Sequence, residues 1–395
     1  MTDYKLSVQQ RVDEILPRLI ALSDDIWSHP EYNFQEFHAC QAMSTALREQ
    51  GFHVETGAGG VETSVKAVYD SGKPGPNIGI FGEFDAVPGM GHACGHNLMC
   101  AIAVGAGTAI KSVSDELGGK VTVLGCPAEE GGGGKIMMLE NGAFRELDFG
   151  MLFHPATQTV VHDRSYSKTT LTIHFTGKKT HAAATPECGI NALNPMIELF
   201  NMVAAMRLEL TERGNIFGVI TDGGQDPNYI PEHTSAQFVI RSFSSRQRKN
   251  LLDRFLGICR HLSEIYGTPF SYTIDGLTYE NIMNNPIIEK LLEENLTELG
   301  EEVLPREAIV DIGSTDMGNV THEVPALQSY IKVFCDPIPR NHTIEFQNAV
   351  GGPAGHLTIA NAAKAMAMTA VDILTHPAYL EEIQKAFQDE KARYE

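Results

Sequence analysis

The sequence predicts an α/β protein: a mixed, largely parallel sheet flanked by helices, with a smaller βαββαβ domain inserted into it. Three observations carry this. Short apolar runs alternate with helical stretches in the first part of the chain, the rhythm changes between about residues 168 and 284, and strand-like runs with a long closing helix return afterwards. The expected division is a larger domain in two pieces, 1–167 and 285–395, around an insert of 168–284.

Residues 6–27 place apolar positions at helical spacing and stop before Pro30, as an amphipathic helix does. "NIGIFGEF" (77–84), "KVTVLGC" (120–126) and "FGMLF" (149–153) have the length and apolar content of buried strands, and "LMCAIAVGAGTAI" (98–110) is a helix of small residues. Strands that alternate with helices pair largely in parallel, since a parallel neighbour needs a crossover. Within the insert, "KTTLTIHFTG" reads as a strand, 190–210 as a helix, "IFGVIT" and "SAQFVIRSF" as two strands, 245–266 as a helix and "FSYTIDG" as a last strand. That order is the ferredoxin-like unit. After it, "IVDIGSTDMGNV" and "QSYIKVF" resume strand-like runs and about 355–374 forms the closing helix.

The 395 residues are 43% hydrophobic and 20% charged, enough for two or three domains with sizeable cores. Thirty Lys and Arg face fifty Asp and Glu, a formal net charge of −20 that repels phosphate backbones and anionic membrane surfaces. Nucleic acid is excluded as the expected partner. No stretch approaches about 18 uncharged apolar residues, so no membrane span is expected, and the N-terminus has neither the basic start nor the apolar core of a targeting peptide. Seven scattered cysteines form no disulfide framework and fit a reducing cytoplasm.

Ligands in open α/β sheets collect at the carboxyl ends of strands. Each of the first three strands ends in metal-compatible chemistry: Asp85 after the first, Glu129 and Glu130 in "PAEE" after the second, His154 after the third. The segment "GEFDAVPGMGHACGHN" (82–97) adds His92, Cys94 and His96 between glycines that let backbone bend around an ion. Sulfur and nitrogen donors of this kind hold zinc. Consecutive Glu129 and Glu130 reach one place only if the chain turns, and Gly131 to Gly134 supply the turn. One carboxylate can then bind metal while its neighbour accepts a proton from the attacking water.

Two other readings fail on spacing. The glycine run before Lys135 is not a phosphate loop, because Ile136 stands where Ser or Thr is needed and two acids precede the glycines. A zinc deaminase needs a PCxxC segment, and "GCPAEE" offers one Cys.

In order along the chain, "FGEFDAVPGMGHACGHN", "GCPAEEGGGGK", "FHP", "GKKTHAAATPECGINAL", "GGQDPNYIP", "GSTDMGNV" and "NHTIEF" resemble the aminoacylase and metallocarboxypeptidase family of dinuclear metal amidohydrolases. Within it they are most similar to the branch of β-alanyl-lysine dipeptidase and p-aminobenzoyl-glutamate hydrolase. The resemblance implies a zinc exopeptidase-like catalytic domain, interrupted by a lid that also forms a homodimer. It implies two divalent ions, zinc first, with manganese or cobalt as alternatives. Cys94 stands where relatives use a bridging Asp and would join both ions; His96, Glu130, His154 and a late His would complete the shells. His342 fits the pattern of that late His better than His356 does. Glu129 matches the general base and Asp85 a carboxylate that orients a ligand. From the lid, His181 and Asn228 match positions that stabilise an oxyanion, and Arg241 one that binds a substrate carboxylate. Asn97 matches the branch and is placed to cap the helix from 98.

The activity so implied is hydrolysis of the amide bond in small N-acyl amino acids or dipeptides. A catalytically silent metal-dependent binding or regulatory protein on the same fold is the alternative, and an intact Glu129 speaks against it.

Overall fold

The computed structural model describes residues 4–210, 214–308 and 312–394. It divides into two compact units, one of Met1–Arg164 with Ile282–Arg393 and one of Ser165–Asn281. The first unit opens with α1 (Tyr4–Ser28), α2 (Phe37–Glu49), β1 (His53–Thr56), β2 (Val65–Asp70), β3 (Asn77–Glu83), α3 (His96–Leu117), β4 (Lys120–Cys126), α4 (Gly134–Glu140) and β5 (Phe149–Ala156). The second contains β6 (Ser167–Thr176), β7 (Thr180–His181), α5 (Leu193–Arg207), β8 (Asn215–Asp222), β9 (Tyr229–Ile230), β10 (His233–Ser242), α6 (Ser245–Tyr266) and β11 (Phe270–Ile274). The first then resumes with α7 (Pro286–Glu298), α8 (Met317–Thr321), β12 (Ala326–Lys332), α9 (Ile344–Val350), α10 (Pro353–Thr375) and α11 (Ala378–Tyr394).

The first unit is built on a six-stranded sheet of order β1-β2-β4-β3-β5-β12. β4, β3, β5 and β12 run parallel to one another, while β1 and β2 are antiparallel to their neighbours. Both faces are covered, which is why the central strands read as unbroken apolar runs. Side chains alternate between the faces. Ile78, Ile80, Val121, Val123, Phe149, Met151 and Phe153 enter the core shared with α1, α3 and α10, whereas Phe81, Leu124 and Leu152 enter a second core with Phe144, Met317 and Val320. α3 and α10 are long and apolar enough to cross a membrane, but 89% and 72% of their spans lie buried inside the fold, as core helices do.

In the second unit the strands pair antiparallel in the order β11-β6-β10-β8. Leu171, Ile173, Phe175, Ala236, Phe238 and Ile240 form one apolar face under Leu199, Val203, Phe255 and Cys259 of α5 and α6. β7 and β9 make a separate short ribbon.

Two strands go unannounced in the sequence, and two expectations need correction. β1 and β2 have no apolar run to announce them, because β2 buries only alternate residues and β1 is mostly exposed. Residues 312–315 of "IVDIGSTDMGNV" are not a strand, and 317–321 form a helix; 309–311 lie outside the described residues. Asn97 does not cap α3. The helix already starts at His96, and Asn97 is buried, donating from Nδ2 to Ser23 Oγ (2.9 Å) and to the Val350 carbonyl (3.1 Å).

Candidate metal centre

Cys94 lies between β3 and α3, and Gly95 turns the chain there with φ 83°, a value that Gly adopts without the steric cost of a Cβ. The turn directs Cys94 to the ends of the parallel strands and makes His96 the first residue of α3. Cys94 Sγ stands 3.3 Å from His154 Nε2, on β5, and 3.3 Å from His342 Nε2. Nε2 of His342 is also 3.2 Å from Glu130 Oε1. Ligand atoms of Cys94, His96 and His154 lie within 4.8 Å of one another, and so do those of Cys94, Glu130 and His342. Two donor triads therefore meet at one sulfur.

His342 is held at φ 61°, uncommon for a residue with a side chain, while its N–H donates to the Ala93 carbonyl at 2.8 Å. His356 is elsewhere: it sits in the first turn of α10 with Nε2 2.9 Å from Asp24 Oδ1. His92 is buried against the Ile26 carbonyl, and burial lowers its pKa to about 3, so it stays neutral.

Asp85 touches both sides of the cluster. One carboxylate oxygen is 3.0 Å from His96 Nδ1, and the other accepts the Glu130 N–H at 2.9 Å. It thus fixes the imidazole, leaving Nε2 toward the donors, and fixes the loop that carries both glutamates. That loop turns at Ala128 (φ 54°), whose carbonyl accepts the N–H groups of Gly132 and Gly133, each at 2.8 Å.

The donor chemistry fits divalent metal. His96 Nε2 and Glu130 Oε1 are buried with only the facing side chains of Glu83 and His342 at 3.1 and 3.2 Å and no well-formed hydrogen bond, a condition that a cation relieves. Burial pushes the Cys94 thiol far above its ordinary range, so without a cation the sulfur keeps its proton. Burial also works to raise Glu130, but the facing His342 imidazole and the charge of His96 outweigh it and hold that carboxyl at about 2. Glu129 differs: burial, then the charges of Glu83 and Asp316, push it well above the carboxylate range. Neighbouring glutamates are thus set apart, one as an anion and one as a proton acceptor of raised basicity.

Three residues here escaped the sequence reading. Glu83 ends β3 with Oε2 3.1 Å from His96 Nε2, within metal-holding distance of His96 and Glu129. Lys135, wholly buried, places Nζ 2.5 Å from Glu83 Oε1 and 2.6 Å from Asp316 Oδ1. Its backbone N–H also donates to Asp316 Oδ2 at 2.8 Å. The available signal was a charged residue inside an otherwise apolar segment, in "GIFGEF" and again in "KIMML". Lys135→Met leaves two buried carboxylates uncompensated and is expected to lower stability by about 3–5 kcal/mol. Denaturant unfolding of the full chain checks this.

In the second unit, His181 ends β7 and pairs with Tyr229 of β9, while the Ala182 N–H donates to the Asn228 carbonyl at 2.8 Å, so the two residues share one corner. Nδ1 of His181 accepts the N–H groups of Ala183 and Ala184, each at 3.2 Å, which in the neutral ring puts the proton on Nε2 as a donor. Asn228 closes a turn on Asp226 Oδ1, at 2.8 Å from its N–H and 3.0 Å from Nδ2. Arg241, on β10, lies over the Phe217 ring at 5.9 Å, and its Nε is buried without a hydrogen-bond partner.

Donor triads meeting at one buried thiol, with a basic carboxylate beside them at the ends of parallel strands, define a metal-dependent hydrolase. The description "Peptidase family M20/M25/M40" matches residues 74–346, and the chain belongs to that family. It is an enzyme that hydrolyses amide bonds. It is 32% identical to the Xaa-Arg dipeptidase of Mus musculus, over 97% of this chain and 92% of that protein. It is 27% identical to one of the polypeptides of p-aminobenzoyl-glutamate hydrolase from Escherichia coli, over 94% of this chain and 92% of that one. The fold is shared with a Bacillus subtilis protein described as a dinuclear metal binding peptidase, at TM-score 0.73 and 20% identity over 92% of this chain and 99% of that one.

Proposed function

We propose that the chain hydrolyses dipeptides and small N-acyl amino acids at the Cys94 centre, with Glu129 as general base. The observation that carries this is the pair of triads sharing Cys94 beside a carboxylate of raised basicity. Cys94, His96, His154, Glu130 and His342 would hold two divalent ions, zinc first and manganese or cobalt as alternatives. When bound, such ions supply polarisation of the scissile carbonyl and acidification of water.

The protein's own groups do the rest. Glu129 takes the proton of the attacking water and delivers it to the leaving amine. Asp85 holds His96 and the glutamate loop in register. His181 Nε2–H and the Asn228 carboxamide are donors for the oxyanion, and Arg241 is a guanidinium for the substrate carboxylate. Dipeptides with a basic C-terminal residue are the first substrates to try. The name of the Mus musculus relative supports them, and a net charge of −20 attracts cations at long range.

The lid is proposed to form a homodimer. Phe217, Val219 and Ile220 stand exposed on the edge strand β8, with Ile197, Met202 and Leu208 exposed along and just after α5. A cytoplasmic location fits the free cysteines.

Release of free amino acid from a panel of dipeptides and acyl-amino acids tests the function. Expected is turnover that a chelator abolishes and divalent ion restores. Turnover untouched by exhaustive metal removal, or none on any member with metal loaded, overturns it.

A further inference from the structure

We propose that Asp25, His29 and His38 form a second, separate metal site, of the zinc class, at the junction of α1 and α2. One ligand atom from each of the three lies within 4.8 Å of the others. Asp25 sits in the last turn of α1, His29 just beyond its end and His38 in the first turn of α2. Asp25 divides its carboxylate between the rings, with Oδ2 2.9 Å from His38 Nε2 and Oδ1 3.4 Å from His29 Nδ1.

An ordinary ion pair explains only part of this arrangement. One carboxylate and one imidazole would suffice, yet a second imidazole lies against the first with ring centroids 4.2 Å apart. A divalent cation accounts for all three groups at once, because neutral imidazoles can turn lone pairs to it while the carboxylate supplies charge. His29 Nδ1 also lies 2.8 Å from the Asp25 carbonyl, so Asp25 fixes this ring through both its backbone and its carboxylate. Two nitrogens and one carboxylate with room for solvent suit zinc and its neighbours; calcium and magnesium prefer oxygen donors throughout.

An ion here would clamp the ends of the segment between His29 and His38. That segment buttresses the metal centre. Its Glu31 carbonyl accepts the Ala86 N–H at 2.7 Å, beside Asp85, and the Phe34 ring covers Gly132, where an added Cβ would come within 2.4 Å of the ring. Occupancy of the outer site is thereby tied to the loops that carry Asp85, Glu129 and Glu130.

Uptake of Zn²⁺ by equilibrium dialysis of the full chain tests this. The wild type is expected to bind one more equivalent than His29→Ala/His38→Ala at the same free Zn²⁺, and a Cys94→Ala chain is expected to keep that increment. Equal uptake by the wild type and the double variant overturns the outer site, whatever Cys94→Ala does, so the result is independent of the catalytic reading. His29→Ala alone leaves the Asp25–His38 contact in place, and should weaken the extra equivalent by at least about 100-fold, the upper cost of losing an outer-shell partner. With Co²⁺, the increment should appear without sulfur-to-cobalt charge transfer; a sulfur band growing with it assigns the ion to Cys94 and overturns the site.

Discussion

Glu129→Gln is expected to reduce hydrolysis by about 10²–10⁴-fold, the range that a positioned general base contributes. Bound divalent metal should remain at the wild-type stoichiometry. The two readouts separate base from ligand. Gln keeps the shape of the side chain and loses only the capacity to take a proton; the triads at Cys94 do not include Glu129, while the group of Glu83, His96 and Glu129 does, which is why metal is counted beside activity. Parallel loss of metal and activity would assign Glu129 to coordination instead.

The pH profile adds a sign. Burial, Glu83 and Asp316 raise the Glu129 pKa, and Lys135 works the other way. A general base acts when ionised, so activity should rise with pH as Glu129 loses its proton and disappear below that point. Bound divalent cations pull this pKa down against burial, Glu83 and Asp316, so the acidic limb of kcat marks the balance of the two, and Glu129→Gln should abolish that limb in whatever activity remains.

Much of this site was legible because its chemistry is local in sequence. Asp85, Cys94 and His96 fall within one loop, and Glu129 and Glu130 are adjacent. Strand ends gave the rest of the rule, since His154 lies on a parallel strand next to β3. What stayed hidden depends on distance along the chain. Lys135 and Asp316 are 181 residues apart, and each alone reads as a solvated charge; only burial of both makes them a pair. Asp25 lies in the last turn of one helix, His29 just beyond it and His38 at the start of the next, and no periodicity says that the end of one meets the start of the other. β1 and β2 were missed for a related reason, as half-exposed edge strands bury too few side chains to leave an apolar run. Conversely, "IVDIGST" has strand composition, yet Asp316 is drawn inward to Lys135 and a helix starts at Met317.

Cys94→Ala should have the largest effect on metal. Each triad loses its common member, leaving His96 with His154 and Glu130 with His342. Losing an outer-shell partner costs about 10–100-fold in metal affinity, so losing a shared donor is expected to exceed about 100-fold, with activity falling in step. Cys94→Asp restores an anionic donor and should recover metal and activity together. The pair of variants also predicts a proton. Burial keeps the wild-type thiol protonated in the metal-free chain, whereas a ligand must be a thiolate. Metal binding therefore releases a proton from Cys94, and affinity should strengthen as pH rises through neutrality. In Cys94→Asp the same burial raises the replacing carboxyl, but from an ordinary pKa about five units lower than a cysteine thiol, so that part of the pH dependence should move to lower pH. Calorimetric titration in buffers of different ionisation enthalpy measures the proton count directly. At a pH between the two pKa values, an equal release from the wild type and from Cys94→Asp would mean that the proton comes from another group, and that the Cys94 thiol is not the one that ionises when metal binds.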